Sequence, residues 1–400
     1  PWRLYFSEVF QEKDGFDVVI ANPPYGFRNV LSKEEKKYFR KVKGFQFPSG
    51  DIAELFIIFS IKKLVHSYGT LTFIIPKKSL YGESWREVRQ IWVSNRLVYL
   101  MDASKAFENV LLEQVSFSII KALNNNENIS IGTLNQFEDR IEVFDSFSLN
   151  NIFSNDYKNA QIYRGMYLEP LLEKIMKNSI VNTGQLIKGV IGISNITSSL
   201  TFQNKNNYPC VKGIDILRYG LKQNRYLKKE IAKDYLSLFK EDKIVAQKII
   251  AHIQNPFPHI LITMFYDDAK RLISDTCVEI KVLSHKLEKK FLLAYYQSSF
   301  CNWYAYNFIY NRAIRTMDFI NYYITQIPIP KLVIEYPGKQ EPIISLVNKI
   351  LALTKDDDYF ANSIKQVKVK DYERQIDQMV YKLYSLTPEE IKVVEGFNSK

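Results

Sequence analysis

Asn22-Pro23-Pro24-Tyr25 is the stretch whose residue types and order could carry chemistry. It directly follows Phe16-Asp17-Val18-Val19-Ile20-Ala21, a short apolar run that reads as a buried strand. An exocyclic amine on adenine is a poor nucleophile, because its lone pair is delocalised into the ring. A site that methylates it must hold both N–H groups, so that nitrogen can point a lone pair at the methyl group. The side-chain oxygen of Asn22 and a neighbouring backbone carbonyl can accept those two hydrogen bonds. Consecutive prolines fix φ and donate no N–H, so the carbonyl of Pro23 is rigidly aimed. Tyr25 offers a ring on which a flat base can stack. A base in a duplex must first be flipped out, since its amine is otherwise committed to pairing. The simpler alternative is a Pro-Pro turn closing a strand.

The elements around the motif favour the chemical reading. Ile52 to Val65 is apolar on a helical repeat, Tyr68-Gly69 punctuates it, and Thr70 to Ile75 is a β-rich run stopped by Pro76. Trp85 to Asn95 reads as a helix, and Leu97 to Met101 and Gln114 to Ile120 read as strands that could pair as an antiparallel hairpin edge. Buried strands alternating with amphipathic helices predict a doubly wound α/β sheet. Such a sheet places ligands at the carboxyl ends of its strands, where the motif sits. Residues 123–165 change texture, with the polar run Asn124 to Asn128, and read as a connecting segment. Over 166–335 the alternation disappears and an irregular α+β domain is expected. Its strand-like runs include Lys243 to Ile253 and Ile260 to Phe265 around Asn255-Pro256, and Leu287 to Tyr296 reads as a helix. The tail, 336–400, is helical. Ile343, Ile344, Val347, Ile350 and Leu351 share one face, and Tyr372, Ile376, Met379 and Leu383 share another. The two faces suit a hairpin of helices connected through Lys355 to Asp358, or packing against the preceding domain. Thr387-Pro388-Glu389-Glu390 is a helix start with a Thr cap.

A net charge of +11 over 400 residues favours a polyanionic partner, double-stranded DNA first, over a merely solvated Lys-rich surface. Within 166–335, Arg218, Lys248, Arg312 and Arg315 are the candidate contacts to phosphates or guanine edges. Asn311 to Thr316 is the densest such stretch, between aromatic-rich segments. Cys210, Cys277 and Cys301 are far apart, and His66, His252, His259 and His285 are scattered. Neither a disulfide framework nor a metal centre is indicated. There is no bilayer-length apolar run and no signal-peptide pattern, so a cytoplasmic protein without a membrane partner is expected.

Phe16 to Gly26 resembles the catalytic motif of gamma-class N6-adenine DNA methyltransferases. The helix from Ile52 and the run Gly69 to Pro76 resemble the next two motifs in the same order. Phe107 falls where that family places an aromatic that stacks on the flipped adenine, and Phe56 falls near its ring against the cofactor adenine. The region Gln185 to Pro330 resembles the TaqI-like specificity domain, and the tail resembles the ends of type IIG and type IIS restriction–modification polypeptides. The resemblance implies site-specific adenine-N6 methylation with S-adenosylmethionine as cofactor. It implies a partial Rossmann-like methyltransferase sheet over 1–122, then a target-recognition domain and the helical tail.

Two departures qualify it. The family's glycine-rich cofactor loop is absent before Asn22, and Gly189 to Gly192 opens no phosphate-type loop. The main cofactor motif is therefore expected upstream of Pro1, or in a separate subunit. Asp275 with Glu279-Ile280-Lys281 is too closely spaced for a metal-dependent nuclease and fits an ordinary strand, so any nuclease is expected upstream. The alternatives are a DNA-recognition module without catalysis, and a methyltransferase acting on a protein glutamine or on RNA, whose amide or amine poses the same electronic problem.

Overall fold

The computed structural model describes residues 2–398 other than 26–30, 108–111, 124–127, 136–139, 149–151, 154–155, 157, 165–167, 205, 238–240, 252–257, 316 and 357. Gly26, the Asn-rich run before Asn128, His252, Asn255-Pro256 and Thr316 thus lie outside the described residues. The chain divides into two compact units. One is Pro1–Glu169 with Tyr310–Ala313, and the other is Pro170–Ile309 with Ile314–Lys400.

The first unit is built on a six-stranded mixed sheet. Its strands are β1 (Phe16–Ala21), β2 (Val65–Pro76), β3 (Asn95–Ser104), β4 (Gln114–Leu123), β5 (Asn128–Asn135) and β6 (Arg140–Ser148), in the spatial order β1-β2-β4-β3-β5-β6. Helix α1 (Ser7–Lys13) precedes β1, and α2 (Ile52–Lys63) makes the crossover that a parallel β1–β2 pair requires. Asp51 caps α2, its carboxylate accepting the Ala53 N–H at 3.0 Å. Most faces of α2 are buried, through Ile52, Ala53, Leu55, Ile57, Ile58 and Ile61. Helix α3 (Arg86–Ser94) lays Val88 and Trp92 into the core, where Trp92 meets Phe117 of β4.

Two readings of the sequence need correction. Strands β3 and β4 pair antiparallel as expected, but they lie inside the sheet rather than at its edge. Residues 123–165 do more than connect, because β5 pairs with β3 and β6 with β5. The alternation that drives this is short: Ile129 and Ile131 are fully buried on one face, with the half-buried Ser130 between them. Within this chain β1 lies at one end of the sheet, with Val18 55% and Ile20 74% exposed.

The second unit holds short antiparallel strands and helices, as expected for an α+β region. One sheet orders Met264–Asp267, Lys243–Gln247, Cys277–Val282 and Ile187–Ile191, all antiparallel. A second orders Leu272–Ile273, Asn207–Val211, Arg225–Lys228 and Leu200–Thr201. Glu279 and Lys281 belong to one of these strands, and among the described residues no group of three His, Cys, Asp or Glu could hold a metal ion. The tail helices Glu341–Thr354 and Ser363–Leu383 pack on each other and on helix Lys289–Gln297. The buried face of the longer one is Val369, Ile376 and Val380; Tyr372, Met379 and Leu383 are only half-buried. That helix meets three others at once, Lys289–Gln297, Ser299–Tyr304 and Glu341–Thr354. The capping box at Thr387 and Glu390 forms as read. No described helix is long and apolar enough to cross a membrane.

Arg89 is fully buried in the first unit and donates to the carbonyls of Ser79 (2.7 Å) and Gly82 (2.9 Å). Arg89→Ala should orphan the Ser79 carbonyl, leave the Gly82 carbonyl with only the Trp85 N–H at 3.1 Å, and open a void, costing about 3 kcal/mol of stability. Denaturant unfolding checks this; a loss below about 1 kcal/mol would mean water replaces the guanidinium.

Candidate active site

Ala21, the last residue of β1, pairs with Phe73 of β2, so Asn22 emerges at the carboxyl end of the sheet beside Ile74. The hydroxyl of Tyr25 lies 2.5 Å from Asn22 Oδ1 and 3.1 Å from the Ile74 carbonyl, donating its one proton in a shared bond. This ties the motif back onto β2 and fixes the Asn22 side chain. An amide oxygen has two lone pairs, so Asn22 Oδ1 keeps one for an incoming N–H. Asn22 and Pro24 are exposed, Pro23 is buried and Tyr25 is half-buried. Burial, reinforced by the negative charge of Asp51, pushes the Tyr25 phenol up to about 12. It therefore remains a donor at neutral pH. Phe56, on α2, is 40% exposed although the helix around it is buried.

Sheet register brings the β3–β4 connection to the same end. Gln114, the first residue of β4, pairs with Pro76 at the end of β2 and with Ser104 at the end of β3. Phe107 lies in this connection and is 38% exposed. Beneath it is an ionic cluster that sequence reading did not flag. Lys77 Nζ donates to Asp102 Oδ2 at 2.6 Å and to Glu113 Oε1 at 3.3 Å, with all three side chains buried. The Tyr163 hydroxyl donates to the same Asp102 oxygen. Burial works to lower the Lys77 ammonium, but Asp102, Tyr163 and Glu113 outweigh it and hold the group well above its ordinary value. A lysine pair after a proline gave no signal of this, since Lys77-Lys78 reads as solvated.

Of the four basic candidates, Arg312 lies in the first unit, where Tyr310–Ala313 belongs. Its guanidinium sits 4.2 Å from the centre of the Tyr163 ring, and its carbonyl accepts from Lys77 Nζ at 3.5 Å. Asn311 and Arg312 both adopt left-handed backbone, with φ of 49° and 56°. The buried Asn311 side chain holds that conformation, accepting from Ile162 N–H at 3.1 Å and donating to Asn159 Oδ1 at 2.9 Å. Arg218, Lys248 and Arg315 lie in the second unit. Arg218 is not a free contact: it pairs with Glu373 at 2.6 Å and donates to the Gln297 carbonyl at 2.9 Å. Lys248 is half-buried on backbone held by Thr276 and Phe319. Arg315 is half-buried, and its Nε has no hydrogen-bond partner among the described residues.

Residues 1–108 match the family model described as Eco57I restriction-modification methylase. Residues 208–329 match the TaqI-like C-terminal specificity domain. The chain joins a restriction-modification methylase segment to a TaqI-like specificity domain. It is similar to a putative type II restriction enzyme and methyltransferase of Methanocaldococcus jannaschii, 27% identical over 238 residues, covering 55% of this chain and 19% of that protein. It is also similar to the type II methyltransferase M.HincII of Haemophilus influenzae, 29% identical over 125 residues, covering 30% of this chain and 25% of the other. The chain thus spans a quarter or less of the length of these two relatives. Its fold resembles that of the type IIL restriction-modification enzyme MmeI, solved in complex with DNA. The TM-score is 0.55 at 10% identity, covering 95% of this chain and 56% of that one. Asn22–Tyr25, Phe56, Lys77 and Phe107 fall in the methylase match, and Arg218, Lys248, Arg312 and Arg315 in the specificity match.

Lys77→Met should leave Asp102 and Glu113 buried without their cation and cost about 3–5 kcal/mol. Urea unfolding of the variant checks this; unchanged stability would mean that the two carboxylates are protonated or hydrated rather than paired.

Proposed function

We propose that this chain carries the transfer end and the target-recognition part of a site-specific DNA adenine-N6 methyltransferase. The observation that supports this most is the fixed Asn22 side chain at the carboxyl end of a parallel strand. It is exposed, it is braced by Tyr25, and one lone pair is left free. A flipped adenine placed there would give one amine N–H to Asn22 Oδ1 and the other to the Pro23 carbonyl. Its ring would stack against Tyr25, with Phe107 on the same sheet end as the second ring. With both N–H bonds held, nitrogen directs its lone pair outward, and the surplus proton leaves to solvent after transfer.

The residues present fit one wall of a cofactor site. Phe56 offers an exposed ring on an otherwise buried helix that begins at Asp51, beside Tyr25. S-adenosylmethionine, when bound, supplies an electrophilic methyl group on a sulfonium. The glycine-rich loop that would cradle the rest of it is not among residues 1–21. We read the β1-β2-β4-β3 order as the transfer half of a doubly wound methyltransferase sheet. Arg312 and Arg315 are the basic residues we assign to duplex DNA, and the chain's +11 charge supports the same partner.

The reaction is tested by methyl transfer from labelled S-adenosylmethionine into duplex DNA by the protein that contains this chain, with the product nucleoside identified. N6-methyladenine is the expected product; methyl on protein or RNA, or salt-sensitive DNA binding with no transfer, would overturn the assignment. Asn22→Ala should lower kcat about 100- to 1,000-fold with duplex affinity retained. Turnover within about 3-fold of the unsubstituted protein would remove Asn22 from the site. Arg312→Ala should weaken duplex binding and make its salt dependence shallower by about one counterion. Titration of affinity against salt reads this directly, and an unchanged slope would exclude a phosphate contact.

A further inference from the structure

We propose that Gln114 is a positioning residue that sets Phe107 for stacking on the target base. The inference rests on the reading of Phe107 as the second stacking ring.

A fully buried position at the start of an interior strand would ordinarily take an apolar side chain. Gln114 is fully buried there. Burying an amide is costly unless its oxygen and nitrogen are both bonded, and both are. Gln114 Oε1 accepts the Ala106 N–H at 3.0 Å, and Gln114 Nε2 donates to the Leu112 carbonyl. One side chain therefore ties the two limbs of the β3–β4 connection together, and one of those bonds falls on the residue directly before Phe107. Only a side chain that is acceptor and donor at once can make this bridge.

Both limbs are braced again from below. Asp102 Oδ1 accepts the Ser104 N–H at 2.8 Å on the first limb. On the second, the Lys77 N–H donates to the Glu113 carbonyl at 2.8 Å, while its ammonium holds the Glu113 carboxylate. Phe107 is thus an exposed ring directly after a backbone amide that Gln114 holds in place. That is the condition under which stacking is available without ordering the backbone at the moment of reaction.

The test is a double-mutant cycle in the protein that contains this chain, with Gln114→Met, Phe107→Ala and the pair. Gln114→Met keeps the volume and removes both bonds. Expected are a 10- to 100-fold lower kcat for Gln114→Met, unchanged duplex Kd, and faster hydrogen exchange at the Ala106 amide. The double variant should be no slower than Phe107→Ala alone. Should Gln114→Met melt well below the unsubstituted protein, Gln114→Glu carries the same cycle, since it keeps the acceptor for Ala106 and loses the donor to Leu112. Independent, multiplying losses would overturn the proposal, as would normal kcat in Gln114→Met while Phe107→Ala is impaired. Normal kcat in Phe107→Ala would instead remove the stacking reading itself, and the proposal with it.

Discussion

An ammonium can be buried only where enough acceptors converge on it, and the Lys77 cluster meets that demand at the place where the sheet gathers its chemistry. Asp102 lies two residues before the end of β3, Glu113 precedes β4, and Lys77 follows β2. Because the three come from three neighbouring strand ends, their pairing locks those ends in register. Tyr163 and the Arg312 carbonyl complete the shell. The motif at Asn22 is tied to the same strand end through Tyr25 and Ile74. The exposed groups at this end therefore stand on a base that cannot relax piecemeal, since losing one partner leaves the others charged and dry.

Much of the frame was legible in the sequence. Phe16 to Ala21 and the helix from Ile52 form where they were read, while the strand ended by Pro76, read from Thr70, begins at Val65 and runs through Tyr68-Gly69. Asn22 to Tyr25 was legible because its residue types match one electronic problem. β5 and β6 escaped because a polar Asn-rich run dominates the local composition, while Ile129 and Ile131 give β5 a short apolar alternation.

The ionic cluster was illegible for a different reason. Lys77, Asp102, Glu113, Tyr163 and Arg312 span 236 residues of sequence, and each alone looks like a solvated charge or a core ring. Long-range electrostatic partners leave no local pattern. The same holds for Arg218, whose acceptor Glu373 lies on a tail helix that sequence could not place.

The segment Tyr310–Ala313 lies deep in the specificity match yet completes the methylase unit, through Asn311 on Asn159 and Arg312 on Lys77 and Tyr163. Restriction-modification proteins invite the exchange of specificity parts between relatives, and the natural cut would follow Glu169. A graft made there also replaces four residues of the recipient's own methylase interior. The graft is then constrained by two residues that read no base. It must bring an asparagine able to hold left-handed backbone, followed by a residue whose carbonyl Lys77 can reach. A donor lacking that pair would supply a new target preference and a damaged methylase in one step.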